Sequence, residues 1–157
     1  MDLILSDLGF SVPDARTAIR VVARLVAALL AGAVIGWQRE HSGKAAGLRT
    51  HMLVCCGTAL FVVACLEVGM ASDAMSRVIQ GLVTGIGFLG AGAIIKLETT
   101  REIRGLTTAA GIWITAAIGV TIGLGQVGIG AVAVFLTWLV LSVVAKLEAR
   151  LPGSGNA

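Results

Sequence analysis

Residues 77–123 read RVIQGLVTGIGFLGAGAIIKLETTREIRGLTTAAGIWITAAIGVTIG, and this stretch decides the fold. Residues 78–95 form an uncharged run that would span roughly 27 Å as a helix, close to the hydrocarbon thickness of a bilayer. Residues 106–123 form a second uncharged run of the same length. The segment between the two runs is charged, and it carries Lys96, Glu98, Arg101, Glu102 and Arg104. The pattern predicts two membrane-spanning helices joined by a polar turn.

The composition of the whole chain indicates lipid as its solvent. Of its 157 residues, 57% are hydrophobic and only 13% are charged, about half the usual share of a soluble protein. Too few polar side chains are present to cover a surface that faces water. Basic patches with interleaved aromatic residues are missing from the sequence, which argues against nucleic acid as a partner.

Three further apolar segments complete the predicted bundle, at residues 19–37, 52–70 and 129–145. The predicted fold is therefore all-α, a polytopic membrane protein with a bundle of about five transmembrane helices. We divide the chain into an N-terminal interfacial segment (1–18), a transmembrane domain (19–145) and a short cytoplasmic tail (146–157).

Loop charges predict the orientation. One side of the membrane would carry eight basic residues, namely Arg39, Lys44, Arg49, Lys96, Arg101, Arg104, Lys146 and Arg150. The other side would carry four, namely Arg16, Arg20, Arg24 and Arg77. Cytoplasmic loops are enriched in Lys and Arg, so we expect the N-terminus outside and the C-terminus in the cytoplasm.

Two charges fall inside predicted spans. Arg24 lies about one turn into the first span and Glu67 about one turn from the end of the second, at similar expected depth. An intramembrane charge costs a few kcal/mol unless it is paired or reaches the interface. The two residues therefore predict either a structural ion pair or snorkelling, or alternatively a carboxylate that responds to protons or cations.

The glycines of the third span spell GxGxxG at residues 85–90, the fingerprint of dinucleotide-binding folds. That fingerprint needs a strand before it, whereas these glycines lie within an apolar run. Small residues at helical spacing instead predict close helix packing, within the subunit or across a dimer. Broken helices that expose carbonyls to an ion are the alternative. The predicted packing glycines are Gly81, Gly85, Gly87, Gly90, Gly92, Gly111 and Gly119, with Gly32 and Gly36 on the first span.

The densest polar segment follows the first span, at residues 37–50. Glu40 and Lys44 have the spacing of a helical ion pair. Arg39, Lys44 and Arg49 are candidates to hold an anionic headgroup or a protein partner, and the alternative is that they only set orientation.

No pattern indicates an enzyme, a cofactor or a metal site. All three cysteines (Cys55, Cys56 and Cys65) fall in one apolar segment, where buried inert thiols are expected. His41 and His51 have no arrangement of neighbours resembling a metal or hydrolase site.

Three segments together resemble the signatures of the MgtC/SapB family. The first comprises Gly36, Arg39, Glu40, Lys44, Gly47, Leu48, Arg49 and Thr50; the second is GIGFLGAG at 85–92; the third is RGLTTAA at 104–110, followed by Trp113, Ala116 and Gly119. Order and spacing agree over about residues 24–125. Two departures are Thr107, where virulence-associated members carry Asn, and a chain that ends soon after the last span, where they continue into a soluble domain.

The resemblance implies a bacterial inner-membrane protein linked to magnesium homeostasis and growth under magnesium limitation. It implies action through regulatory partner binding, with the proton-driven ATP synthase as one such partner, and a homo-oligomer, expected to be a dimer, in the lipid bilayer. The polar positions carried over by motif are Arg39, Glu40, Lys44, Arg49, Thr50, Arg104 and Thr108, with Thr107 between the last two. The alternative is a small oligomeric cation or proton transporter or channel.

Overall fold

Five long helices account for most of the computed structural model, which describes residues 14–96, 103–144 and 147. The helices are α1 (Ala15–His41), α2 (Leu48–Glu67), α3 (Ser72–Gly92), α4 (Leu106–Gly123) and α5 (Val127–Leu139), and α5 continues as a π-helix over Val140–Val144. Two short strands, β1 (Ile95–Lys96) and β2 (Ile103–Arg104), lie between α3 and α4. By length and composition, all five helices can cross a membrane when α5 is taken through Val144. The predicted all-α polytopic class is confirmed.

The first helix begins four residues before the predicted membrane span. Helix α1 begins at Ala15 because Asp14 caps it, with Asp14 Oδ1 accepting a hydrogen bond from Thr17 N at 3.3 Å. Hydrogen bonding to Thr17 lowers the pKa of the Asp14 carboxyl. Residues 15–18, which we assigned to the interfacial segment, therefore belong to the first helix. Residues 1–13 lie outside the described part of the chain.

Helix α4 is the centre of the bundle. Half of its membrane-length window is buried, against 6% of the α3 window. One core cluster joins α1, α2 and α4 with the end of the α5 segment, through Ala28, Ile35, Cys55, Ala59, Ile118, Ile122 and Leu141. The three cysteines are free, and two of them are buried, as expected.

Glycines allow helix α2 to contact both α1 and α4 at backbone distance. A Cβ added to Gly36 of α1 would lie 2.7 Å from the Cα of Leu48, and one added to Gly123 of α4 would lie 2.8 Å from the carbonyl oxygen of Ala59. A Cβ on Gly119 would overlap the carbonyl oxygen of Cys55. Lipid supplies no hydrophobic drive between helices, so their cohesion depends on such close packing. Gly119 therefore lies at backbone distance from α2.

The glycines of α3 do not have this role within the subunit. A Cβ added at Gly81, Gly85, Gly87 or Gly92 would meet nothing within 4 Å, and of the second-signature glycines only Gly90 faces a neighbour, Ala109 of α4. Helix α3 is nevertheless continuous from Ser72 to Gly92. Of the two predicted kinds of packing, within the subunit or across a dimer, these four glycines do not show the first, and packing across a dimer stays a prediction. Both the broken helix and the nucleotide fingerprint are excluded for this segment, because the glycines lie within an unbroken helix.

The polar turn between the third and fourth spans contains a β-hairpin that the sequence did not predict. Ile95 pairs with Arg104 and Lys96 with Ile103 in antiparallel register, and residues 97–102 lie outside the described part. Gly105 then begins α4 with a left-handed φ of 97°, and a Cβ there would overlap the carbonyl oxygen of Ala93. Only glycine meets both demands without strain. This residue fixes how the hairpin enters α4.

Large apolar side chains cover the outside of the bundle. They occur on every helix, and examples are Ile19, Leu30, Leu53, Phe61, Phe88, Trp113, Ile129 and Phe135. In water, an apolar surface of this extent would be an aggregation hazard. Such a surface fits a bundle whose outer face contacts lipid.

Candidate functional site

The site lies at the end of the bundle where α1 and α3 end and α2 and α4 begin, which we call the loop end. Arg39, in the last turn of α1, is only 2% exposed there. Its Nη2 donates a hydrogen bond to Thr108 Oγ1 at 3.0 Å, and its Nε is buried without a hydrogen-bond partner. Charged side chains are almost never fully buried unless they are paired. Arg39 forms no ion pair with any Asp or Glu of the described residues, so its charge is uncompensated there.

His51, in the first turns of α2, lies fully buried next to Arg39, close enough for the two side chains to interact electrostatically. Its Nδ1 lies 2.9 Å from the carbonyl oxygen of Gly47. Because a carbonyl can only accept, Nδ1 carries the hydrogen, and Nε2 of the neutral ring is then an acceptor. That Nε2 has no hydrogen-bond partner, and a Cβ at Gly111 of α4 would come within 3.5 Å of it. Gly111 therefore lies against the ring.

Thr108 connects these side chains to the first turn of α4. Its side chain is buried and holds Arg39, while Thr107, its neighbour, is exposed. Among the described residues no side chain caps α4, and its first turn contains no acidic residue. We refer to Arg39, His51 and Thr108 as the buried polar cluster. Of the third-signature residues, the structure brings Thr108 into this cluster, whereas Arg104 lies exposed on β2.

The remaining polar residues of the α1–α2 loop have other roles. Glu40 Oε2 accepts a hydrogen bond from Leu48 N at 2.8 Å, so this carboxylate caps the positive end of α2. The predicted helical pair of Glu40 with Lys44 is wrong, because α1 ends at His41 and Lys44 lies beyond it. Lys44 and Arg49 are exposed.

Thr50 lines a cavity of about 400 Å³ at the loop end, between the α1–α2 loop, the end of α3 and α4. The other residues that line it are apolar, among them Phe88, Leu89 and Ile112. Ile112 lies one helical turn after Thr108, so the cavity is close to the start of α4. Its lining suits an apolar chain better than an ion.

The predicted pairing of Arg24 with Glu67 is also wrong. Glu67 is the last residue of α2 and is exposed. Arg24 Nη1 instead donates a hydrogen bond to the carbonyl oxygen of Gly123 at 3.0 Å. The last carbonyls of a helix lack partners within it and carry a partial negative charge, so Arg24 satisfies the end of α4.

Two polar residues of the loop end were missed as site residues. His51 was dismissed as an isolated histidine, although a histidine at the start of an apolar span is itself a signal of function. Gln38 went unnoticed; its Nε2 donates a hydrogen bond to the carbonyl oxygen of Leu141 at 2.9 Å, inside the π-helical turn. The sequence carries no cue to that turn, so this contact could not have been predicted.

A metal centre is not evident at this site. The described residues include no group of three or more His, Cys, Asp or Glu side chains placed to hold a metal ion. Arg39 would in addition repel a cation near His51.

The architecture and the placement of polar residues define a multi-pass helical membrane protein whose buried polar cluster lies at one end of the bundle. The sequence model of the MgtC family matches residues 25–150. The chain therefore belongs to the MgtC family, as the three motifs predicted.

Curated relatives agree with this assignment. Protein SrpB of Synechococcus elongatus is 45% identical over 136 residues, which cover 80% of this chain and 75% of SrpB. YhiD of Escherichia coli, named as a candidate magnesium transporter, is 43% identical over 83% of this chain and 63% of its own length. Protein MgtC of Salmonella typhimurium is 44% identical over 67% of this chain and 44% of its own. No solved structure matches the chain.

Proposed function

We propose that this chain is a bacterial inner-membrane protein that supports magnesium homeostasis and acts by binding a regulatory partner at the loop end. Membership of the MgtC family and the name of YhiD support the link to magnesium. The single observation that favours partner binding is the burial of Arg39 without a compensating charge among the described residues. A buried guanidinium of this kind can donate charge-assisted hydrogen bonds to an acidic group of another molecule.

The arrangement of carboxylates argues against ion transport through one subunit. Glu40 is engaged by the backbone of α2, and Glu67 is exposed at the end of that helix. In the part of the chain that the structure describes, no carboxylate lies inside the bundle to coordinate a cation or relay a proton. Gly119 and Gly123 moreover bring α4 to backbone contact with α2, which leaves no polar path between these helices.

A cation or proton transporter is the second candidate function, because the name of YhiD describes magnesium transport. A pore would then have to form between subunits. The exposed glycines of α3 offer a contact surface for a second copy, since Gly81 and Gly85 line an open groove of about 360 Å³ between α2 and α3. The dimer, the ATP synthase as a partner, the cytoplasmic side of the loop end and the absence of enzymatic activity stay predictions.

Two assays on the full chain separate these functions. The first measures magnesium uptake and proton flux in liposomes that contain only this protein. The second measures growth of a deletion strain in low magnesium, complemented with wild type, Arg39→Gln or Glu67→Gln. Partner binding predicts silent liposomes, a growth defect rescued by wild type and by Glu67→Gln, and failed rescue by Arg39→Gln at equal membrane abundance.

Flux that depends on the protein and is abolished by Glu67→Gln would contradict regulation and favour transport. Full rescue by Arg39→Gln would show that the charge of Arg39 in the buried polar cluster is not needed for function.

A further inference from the structure

Helix α1 places one arginine at each end of α4. Arg24 contacts the C-terminal end through the carbonyl oxygen of Gly123, at 3.0 Å. Arg39 contacts the N-terminal end through the hydroxyl of Thr108, also at 3.0 Å. The two contacts look alike, but the helix ends they meet have opposite polarity. A helix carries roughly half a positive charge at its N-terminus and half a negative charge at its C-terminus.

Arg24 is therefore electrostatically satisfied, whereas Arg39 is not. The first N–H groups of α4, from Leu106 to Thr108, have no acceptor within the helix, and no side chain caps them among the described residues. Arg39 adds a full positive charge beside these donors, almost completely buried and with Nε unpartnered. A buried cation at the positive end of a helix is unfavourable unless an anion lies nearby.

The acidic side chain nearest in sequence does not supply this anion. Glu40, which follows Arg39, accepts its hydrogen bond from Leu48 N and caps α2 instead. Helix α4 has no acidic residue in its first turn. His51 offers an acceptor nitrogen but no negative charge.

We propose that the N-terminus of α4, backed by Arg39, binds a phosphate-type oxoanion. Free N–H groups at a helix start and a guanidinium are the two donors that recur at phosphate sites. Leu106 and Thr107 are exposed, so an anion can reach the first turn of α4 while Arg39 remains buried beneath it. This inference shares one observation with the proposed function, the uncompensated charge of Arg39, but its test needs no protein partner.

Two sources can provide the same chemistry, namely the phosphate of a lipid headgroup and free inorganic phosphate. The loop end lies where spanning helices end, which is the depth of headgroups in a bilayer. The apolar cavity lined by Thr50, Phe88 and Ile112 lies one turn further along α4, where an acyl chain of such a lipid fits.

The experiment follows the thermal unfolding of the purified full chain in a neutral detergent at constant ionic strength. Inorganic phosphate replaces chloride in one arm. In the other arm, native mass spectrometry compares retention of phosphatidylglycerol with that of a neutral diacylglycerol. We expect saturable stabilisation by phosphate, preferential retention of the phospholipid, or both, and a roughly tenfold weaker affinity in Arg39→Gln. Arg77→Gln, at an exposed arginine near the start of α3 and away from the loop end, is expected to bind like wild type.

A second pair of variants keeps the test valid if Arg39→Gln does not fold. Thr108→Val removes the hydroxyl that holds Arg39 but preserves the shape of the side chain, and Thr107→Val makes the same change at an exposed position. We expect weaker binding in Thr108→Val only. Wild-type protein that responds to neither phosphate nor phospholipid would overturn the proposal. Equal losses in Arg39→Gln and Arg77→Gln would overturn it too, because binding would then reflect diffuse surface charge.

Discussion

Gly119→Ala is expected to destabilise the bundle more than any other single methyl group added to its helices. The new Cβ would overlap the Cys55 carbonyl oxygen and the Thr58 hydroxyl of α2. A carbonyl cannot move aside as the end of a flexible side chain can, so α2 and α4 must separate. Overpacking of this kind costs about 1–3 kcal/mol, occasionally more. Thermal unfolding in detergent measures the loss, and we expect reduced membrane abundance and reduced growth in low magnesium as well.

Gly57→Ala is the matched control for this substitution. Gly57 lies beside Thr58 on α2, but a Cβ there would meet nothing within 4 Å. Alanine is the better helix former by roughly 1 kcal/mol, so this variant should be as stable as wild type or more so. Equal stability of Gly119→Ala and wild type would show that α2 and α4 do not pack at backbone distance.

Gly105→Ala is expected to have the second large effect, because two costs act at one residue. A side chain in the left-handed conformation costs roughly 1–2 kcal/mol, and the Cβ would in addition overlap the carbonyl oxygen of Ala93. The hairpin and the start of α4 must then shift together. We expect a clear drop in unfolding temperature and, since the first turn of α4 moves, impaired function of the loop end.

Gly69→Ala separates the two costs. Gly69 also has a positive φ, of 68°, but a Cβ there would meet nothing within 4 Å. This variant should lose only the conformational part, roughly 1–2 kcal/mol. If Gly69→Ala and Gly105→Ala were equally destabilised, the close approach of Gly105 to Ala93 would play no part in stability.

The apolar runs were sufficient to predict the fold. An uncharged run of bilayer length has few alternatives to a helix, so α4 was predicted with the bounds that the structure shows, Leu106–Gly123. Helix ends that are fixed by side-chain capping were harder to predict. Asp14 and Glu40 fix the starts of α1 and α2 through single hydrogen bonds, and such contacts leave little trace in hydropathy.

Which residues meet across the bundle was harder to predict. The order of the spans predicts that the loop of Arg39 and the loop before α4 lie on the same side, and Arg39 contacts Thr108 there. The direction in which a charged side chain points could not be predicted. Arg24, for example, contacts Gly123 rather than Glu67. The α3 glycines fit the same small-residue pattern as Gly119, yet they face away from the subunit, since the pattern does not say which neighbour a helix face meets.

The central claim is that the chain crosses the membrane five times, so that its two ends lie on opposite sides. Paired reporter fusions at the N-terminus and after Ala157 test this most directly, with one reporter active only in the cytoplasm and one active only outside it. We expect the C-terminal fusion to report the cytoplasm and the N-terminal fusion to report the outside. A result that places both ends on the same side would contradict an odd number of spans. It would also contradict the placing of the α1–α2 and α3–α4 connections on one side of the membrane.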